Sequence, residues 1–330
     1  MQTLNTHSLD THSSRSNNPD TGVPVSRNSS LHSPRSYIGS SLHQHLADAT
    51  GPIDFPFTND YIFRAALQKD AVILKGLICS MLHMYPDEIK SLIITNPITL
   101  GQHIDNKEFI LDISLILNDD THIDLEMQVK NEGDWNDRSL SYLCRNFDQL
   151  SKGEDYTASG TAIHIGFLDF SPFPDAPEFY ATYKLLNVKN CHPYTSKFVL
   201  NVLDLTHIEL ATEEDKAYGI DAWARLFKAR TWEDLKMIAK QNSTLQQASE
   251  TLYTLNCDQT IRDMARARED AIRHENRVNK LLAEKDACIA EQSMAISEMK
   301  TSIAEKDASI AKLNARLAKL ESLLANSPNK

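Results

Sequence analysis

Residues 111–130, LDISLILNDDTHIDLEMQVK, restrict the possible folds of this chain more than any other stretch. Leu111, Ile113, Leu115 and Leu117 form one apolar row, and Ile123, Leu125, Met127 and Val129 form a second across Asn118-Asp119-Asp120. Alternation with a period of two around such turn residues predicts a β-hairpin with one buried face. A one-residue slip would turn one apolar row outward, so few registers remain. A three-residue loop sets Asp112 opposite Glu126. A five-residue loop sets it opposite Gln128, with Glu126 on the diagonal. In either register the two carboxylates fall within roughly 5–8 Å on the polar face. Like charges facing each other destabilise a hairpin. Two readings of that face stand: an acidic exterior bathed in solvent, or a pair of carboxylates that a divalent cation relieves of repulsion.

The chain surrounding the hairpin is long enough for one or two domains with extensions. Five cysteines, Cys79, Cys144, Cys191, Cys257 and Cys288, are scattered without a CxxC spacing. That fits a reducing, cytoplasmic setting and argues against a disulfide framework or a cysteine-based zinc site. No apolar run approaches the ~18 residues of a membrane span. Charge is uneven. Residues 51–256 hold eighteen Lys plus Arg against thirty acids, a net of −12, while the two ends are nearly neutral. Such a body is a poor electrostatic trap for nucleic acid unless metals and a local basic surface compensate.

Residues 1–50, rich in Ser, Asn, His and Thr, bury too little to offset ordering entropy and read as an unstructured tail without a secretory h-region. Thr58 or Asn59 can cap a helix through Asp60, Tyr61, Phe63, Ala66 and Leu67. A second helix is expected over 71–84, a turn at Pro86, and a strand over 92–100. After the hairpin come a helix over 138–151, with Leu140, Leu143, Phe147 and Leu150 inward, and a buried strand over 161–170. Two further strands follow at 178–189 and 197–205. Residues 211–280 turn helical, with Ala222, Trp223, Leu226 and Phe227 on one stripe. The basic residues between Ile261 and Lys280 are interspersed with acids and read as a solvated face.

The last stretch, 281–326, has its own period. Leu282, Ile289, Ile296, Ile303, Ile310, Leu317 and Leu324 recur every seven residues, and AEKDACIA at 283–290 returns as AEKDASIA at 304–311. A sustained seven-residue repeat predicts a left-handed coiled coil and a homo-oligomer. The alternative is an amphipathic helix folded back on its own domain. Lys285, Gln292 and Lys306 at d positions leave the number of strands open.

The ordered pieces FTNDYIFRAAL (57–67), LDISLIL (111–117), LEMQ (125–128), Arg138, Tyr142 and GEDY (153–156) resemble the PD-(D/E)XK nuclease family transposases, also called recombination-promoting nucleases. The resemblance spans roughly residues 53–255 and implies an α/β, restriction-endonuclease-like core over 51–210. It also implies Mg²⁺-dependent cleavage of DNA phosphodiesters. Asp112 and Glu126 map onto the family's metal-binding carboxylates, with the Met127 main-chain carbonyl as a further ligand. Gln128 stands where the wider superfamily has its Lys, and this family commonly has EMQ there. Lys107 and Lys130 are candidates for the missing cation, or ordinary surface lysines. Asp60 is a supporting acid or a helix-terminal charge. Arg138 and Tyr142, four residues apart on one helix face, contact phosphate or merely pack. A catalytically inactive nuclease-like fold acting through its coiled coil is the alternative to an endonuclease.

Overall fold

The structure, a computed structural model, describes residues 45–98, 100, 113–118, 120–148, 155 and 159–325. Asp112, Lys107, Leu150 and the first 44 residues of the tail lie outside the described residues, as does most of the GEDY piece.

Helix α1 (Asp60–Lys69) starts at Asn59, whose side chain accepts from the Ile62 amide. Every residue from Tyr61 to Leu67 is buried, so α1 runs through the core rather than over it. Asp70 both ends α1 and caps α2 (Ala71–Met81), accepting from the amides of Val72 and Ile73. Helix α2 stops three residues before the expected end. His83 takes a left-handed conformation, φ 54°, and the Met84 amide bonds back to the Cys79 carbonyl at 2.9 Å. That is a Schellman-type stop in which His83 does what glycine usually does.

The sheet has six strands in the order β1-β2-β3-β4-β6-β5. Strand β1 (Leu92–Ile94) is much shorter than the expected 92–100. The Asn96 side chain, not its backbone, accepts from the Ser114 amide, and Pro97 has no N–H to offer a ladder. The central hairpin forms as expected, β2 (Ile113–Leu117) against β3 (Thr121–Gln128), with Ile113 opposite Leu125 and Leu117 opposite Thr121. This is the register of the three-residue loop. Asn118 adopts φ 51° in the turn and its side chain accepts from the Lys90 amide at 2.7 Å. Strand β4 (Thr161–Leu168) runs parallel to β3, and β6 (Phe198–Asp204) parallel to β4. Strand β5 (Tyr180–Lys184) closes the far edge antiparallel to β6.

One face of the sheet carries Leu115, Ile123, Leu125, Ile165 and Phe167, all buried against α1 and the later helices. Those helices are α4 (Glu213–Ala217), α5 (Ile220–Lys228), α6 (Trp232–Ala239) and α7 (Ser243–Cys257). Phe167 meets Phe63 at 5.3 Å and Phe227 at 5.4 Å between ring centroids, tying strand, α1 and α5 together. Asn256 on α7 pairs with both the amide and the carbonyl of Phe55, at 3.0 Å each, and so fixes the segment leading into α1.

Helix α3 (Trp135–Phe147) covers the other face. It starts three residues earlier than the expected 138, and its inward row is Trp135, Ser139 and Leu143; Leu140, expected inside, is 45% exposed. The small Ser139 lets the helix lie close to the sheet, and Trp135 rests directly on Gly166. A Cβ at residue 166 would stand 2.2 Å from the indole. Helix α8 (Gln259–Ala325) follows α7 and is 67 residues long, about 100 Å at the rise of an α-helix. Its first turns bury Ile261, Met264 and Ala265 against the body, whereas the side chains described from Asn279 onward are exposed.

The Trp135–Gly166 contact yields a direct expectation. Gly166→Ala should destabilise the fold by about 1–3 kcal/mol, the usual cost of overpacking, read as a lowered urea midpoint at unchanged slope.

Candidate active site

The polar face of β3 is not a solvated exterior. Asp124, Glu126 and Gln128 are 7%, 6% and 8% exposed, so this face of the strand is buried as well as the apolar one. Helix α3 lies over them, and β4 supplies His164, which is fully buried beside Asp124 in the parallel register. The solvated reading of the acidic face is thereby excluded for Asp124 and Glu126.

Burying carboxylates requires partners. Arg138 provides one: its Nη2 lies 2.8 Å from Glu126 Oε1. Asn146, two turns further along α3, donates to Asp124 Oδ2 at 2.5 Å. These contacts satisfy only half of each group. Glu126 Oε2, Asp124 Oδ1 and Gln128 Oε1 are buried without a hydrogen-bond partner among the described residues. So are both ring nitrogens of His164 and Nε of Arg138. His164 Nε2 stands 3.5 Å from Glu126 Oε2, within ion-pair range but without hydrogen-bond geometry. An unpaired buried polar atom costs about 1–3 kcal/mol. A cluster of them on one strand face is a local violation of the kind that marks a site serving something other than stability.

The cluster opens into a cleft of about 630 Å³ at the C-terminal end of β3. Glu126, Met127 and Gln128 form its floor, with Arg138 and Tyr142 on the α3 side. Arg138 and Tyr142 thus share one helix face at i and i+4, as expected, and that face looks into the cleft. Gln128 Nε2 donates to the Lys130 carbonyl at 3.0 Å, which leaves its Oε1 as the uncommitted end. Lys130 lies on the rim, paired with Glu132 at 2.5 Å.

The opposite wall is the root of α8. Asp60 is held by Arg268, whose Nε and Nη2 both lie 2.7 Å from Asp60 Oδ2. Asn59 donates to the Ala265 carbonyl at 3.2 Å. Asp60 is thus an acid in the first turn of α1, after the Asn59 cap, and its carboxylate is engaged by Arg268. Arg268 is accordingly no part of a solvated basic face. Arg64 on α1 is 1% exposed and donates to the Asn96 carbonyl.

Among the described residues no group of three or more His, Cys, Asp or Glu side chains is arranged to hold a metal ion. Asp112 lies outside those residues, so the Asp112–Glu126 pair expected from the sequence is represented by Glu126 alone. Asp124, Asn146, His164 and Arg268 are not singled out by the sequence. His164 sits in an apolar β run, where a lone imidazole at an inward position was the available signal. Arg268 carries no local signal, because its partner is 208 residues away.

A family model described as PD-(D/E)XK nuclease family transposase matches residues 57–280. No curated protein and no solved structure gives a significant match.

Because Glu126 is buried and paired with Arg138, removing the guanidinium should be costly. Arg138→Ala is expected to lower stability by about 1.5–3 kcal/mol, the range of a hydrogen bond to a charged group. Glu126→Gln in the same chain should restore part of that loss. A double-mutant cycle by chemical denaturation measures both.

Proposed function

Because the chain belongs to the PD-(D/E)XK nuclease family of transposases, we propose that it is a divalent-cation-dependent endonuclease hydrolysing DNA phosphodiesters. On this reading Asp112 and Glu126 hold the cation, Mg²⁺ by preference, and Gln128 orients the attacking water. The observation that carries the reading is Glu126 itself: a buried carboxylate on the floor of an open cleft, with Arg138 on its Oε1.

The donor chemistry fits the group. Mg²⁺ takes hard oxygen ligands and typically uses one or two carboxylates, water and substrate phosphate rather than an all-protein cage. The hairpin register is that of the three-residue loop, for which the sequence sets residue 112 opposite residue 126. A divalent cation bound there supplies Lewis acidity to the scissile phosphate and a more acidic water.

The chain's own residues do the rest. Arg138 neutralises Glu126 in the free protein and is within reach of a phosphate oxygen in the cleft once the carboxylate has another partner. Gln128 presents Oε1 as an acceptor, fixed by its bond to the Lys130 carbonyl, and so aligns a water without acting as a strong base. Lys130, at the rim and paired with Glu132, would meet the DNA backbone on this reading. The excess of acids between residues 51 and 256 supports a second reading, a nuclease-like fold that acts through protein partners. That reading requires no divalent binding at Glu126.

The exposed stalk of α8 fits self-association. Leu282, Ile289, Ile296, Ile303, Ile310 and Leu317 form one row, each 49–59% exposed. A bare helix of this length gains little stability without an apolar partner, and a second copy offers the same seven-residue row. An oligomer brings two cleavage sites to one duplex.

Nicking of supercoiled plasmid by the full chain should require Mg²⁺ or Mn²⁺ and vanish on chelation. Asp112→Ala and Glu126→Ala should each lower the rate on the order of 100-fold or more, as removing a preorganised charge does elsewhere. Equal nicking by wild type and Glu126→Ala contradicts the proposal. For the stalk, Ile296→Lys with Ile303→Lys should convert the oligomer to a monomer in sedimentation equilibrium. A wild-type monomer at all concentrations overturns the self-association.

A further inference from the structure

The geometry points to His164 as a positioning residue for Glu126: donating from Nε2 to Oε2, it aims the carboxylate so that the other oxygen faces the cleft. The inference rests on the reading of Glu126 as a cation ligand and adds a residue that the resemblance does not include.

Four observations carry it. First, His164 is fully buried, and neither ring nitrogen has a hydrogen-bond partner among the described residues. An imidazole left so in a strand is costly if its only task is to fill space, and an apolar residue would do that better. Second, the nearest polar atom given for it is the unpaired oxygen of Glu126, 3.5 Å from Nε2. The two orphaned atoms face each other. Third, the ring is flanked by Trp135 and Tyr142, with centroids 5.6 and 6.0 Å away at interplanar angles near 40°, so its orientation is set by packing. Trp135 reaches this position only because residue 166 is glycine. Fourth, Glu126 lines the cleft and His164 does not, which places the imidazole behind the carboxylate.

In the tautomer with the proton on Nε2, a small rotation of the Glu126 carboxylate shortens the 3.5 Å gap to a hydrogen bond. Long polar contacts in an empty site commonly tighten when ligand arrives. With Oε2 anchored from behind, Oε1 is the oxygen left for a cation, and it is the one Arg138 now holds at 2.8 Å. Outer partners of this kind orient a ligating carboxylate and raise its affinity.

Two measurements on the full chain test this. Side-chain ¹⁵N NMR of selectively labelled histidine, without metal, should show His164 protonated on Nε2 and its resonances moved by Glu126→Gln. Protonation on Nδ1 alone, or a ring unaffected by Glu126→Gln, overturns the contact. Titration calorimetry with Mn²⁺ should then show His164→Phe, which keeps the ring packing but has no N–H, weakened roughly 10- to 100-fold. His164→Gln, whose amide reaches as far as Nε2, should recover most of the affinity. Thermal unfolding of His164→Phe should not fall, which separates positioning from structural support. If His164→Phe binds Mn²⁺ as the wild type does, the inference fails while the proposed function stands. If the wild type binds no divalent cation, the proposed function fails and the positioning role with it, whatever the NMR of the contact.

Discussion

The burial of Glu126 under α3 is the constraint around which the rest of this structure is arranged. A carboxylate that is 6% exposed needs a counter-charge, and Arg138 on α3 provides it at 2.8 Å. That pair fixes how α3 lies on β3, and the close approach demands Ser139 on the helix and Gly166 on the neighbouring strand. The apolar side of the same strand is ordinary core, with Ile123 and Leu125 against the helices. One strand therefore presents a stable face and a strained one, and the strained one opens at the cleft.

Much of this was legible in residues 111–130. Period-two alternation fixed which side chains share a face, but it allowed both a three-residue and a five-residue loop, and the structure has the three-residue one. The helical stretches around Asp60, Trp223 and Leu245 announced themselves by spacing. What alternation could not reveal was that both faces of β3 are covered. Polar residues on a strand suggest solvent unless a second layer is known, and that layer is a helix whose inward row, Trp135, Ser139 and Leu143, contains only two apolar residues. The same limit hid Leu140, which looked inward by composition and is exposed by geometry. His83 ended α2 early through a left-handed residue that is not glycine, a stop with little signature in the sequence.

The root of α8 links two parts of the chain that a linear reading keeps apart. Arg268 clamps Asp60, and the Ala265 carbonyl accepts from Asn59, so the start of the long helix is also a wall of the cleft. The remaining helix then projects with its apolar row uncovered. The matched family region ends at residue 280, close to the point where the helix leaves the body.

The central claim is that Glu126 and Asp112 share one hard cation in this cleft. Anomalous diffraction from crystals of the full chain grown with Mn²⁺ tests it most directly. The account requires a single strong peak between the two carboxylates, with Arg138 released from Glu126 Oε1. A Glu126 still paired with Arg138, and manganese elsewhere or nowhere, would contradict it.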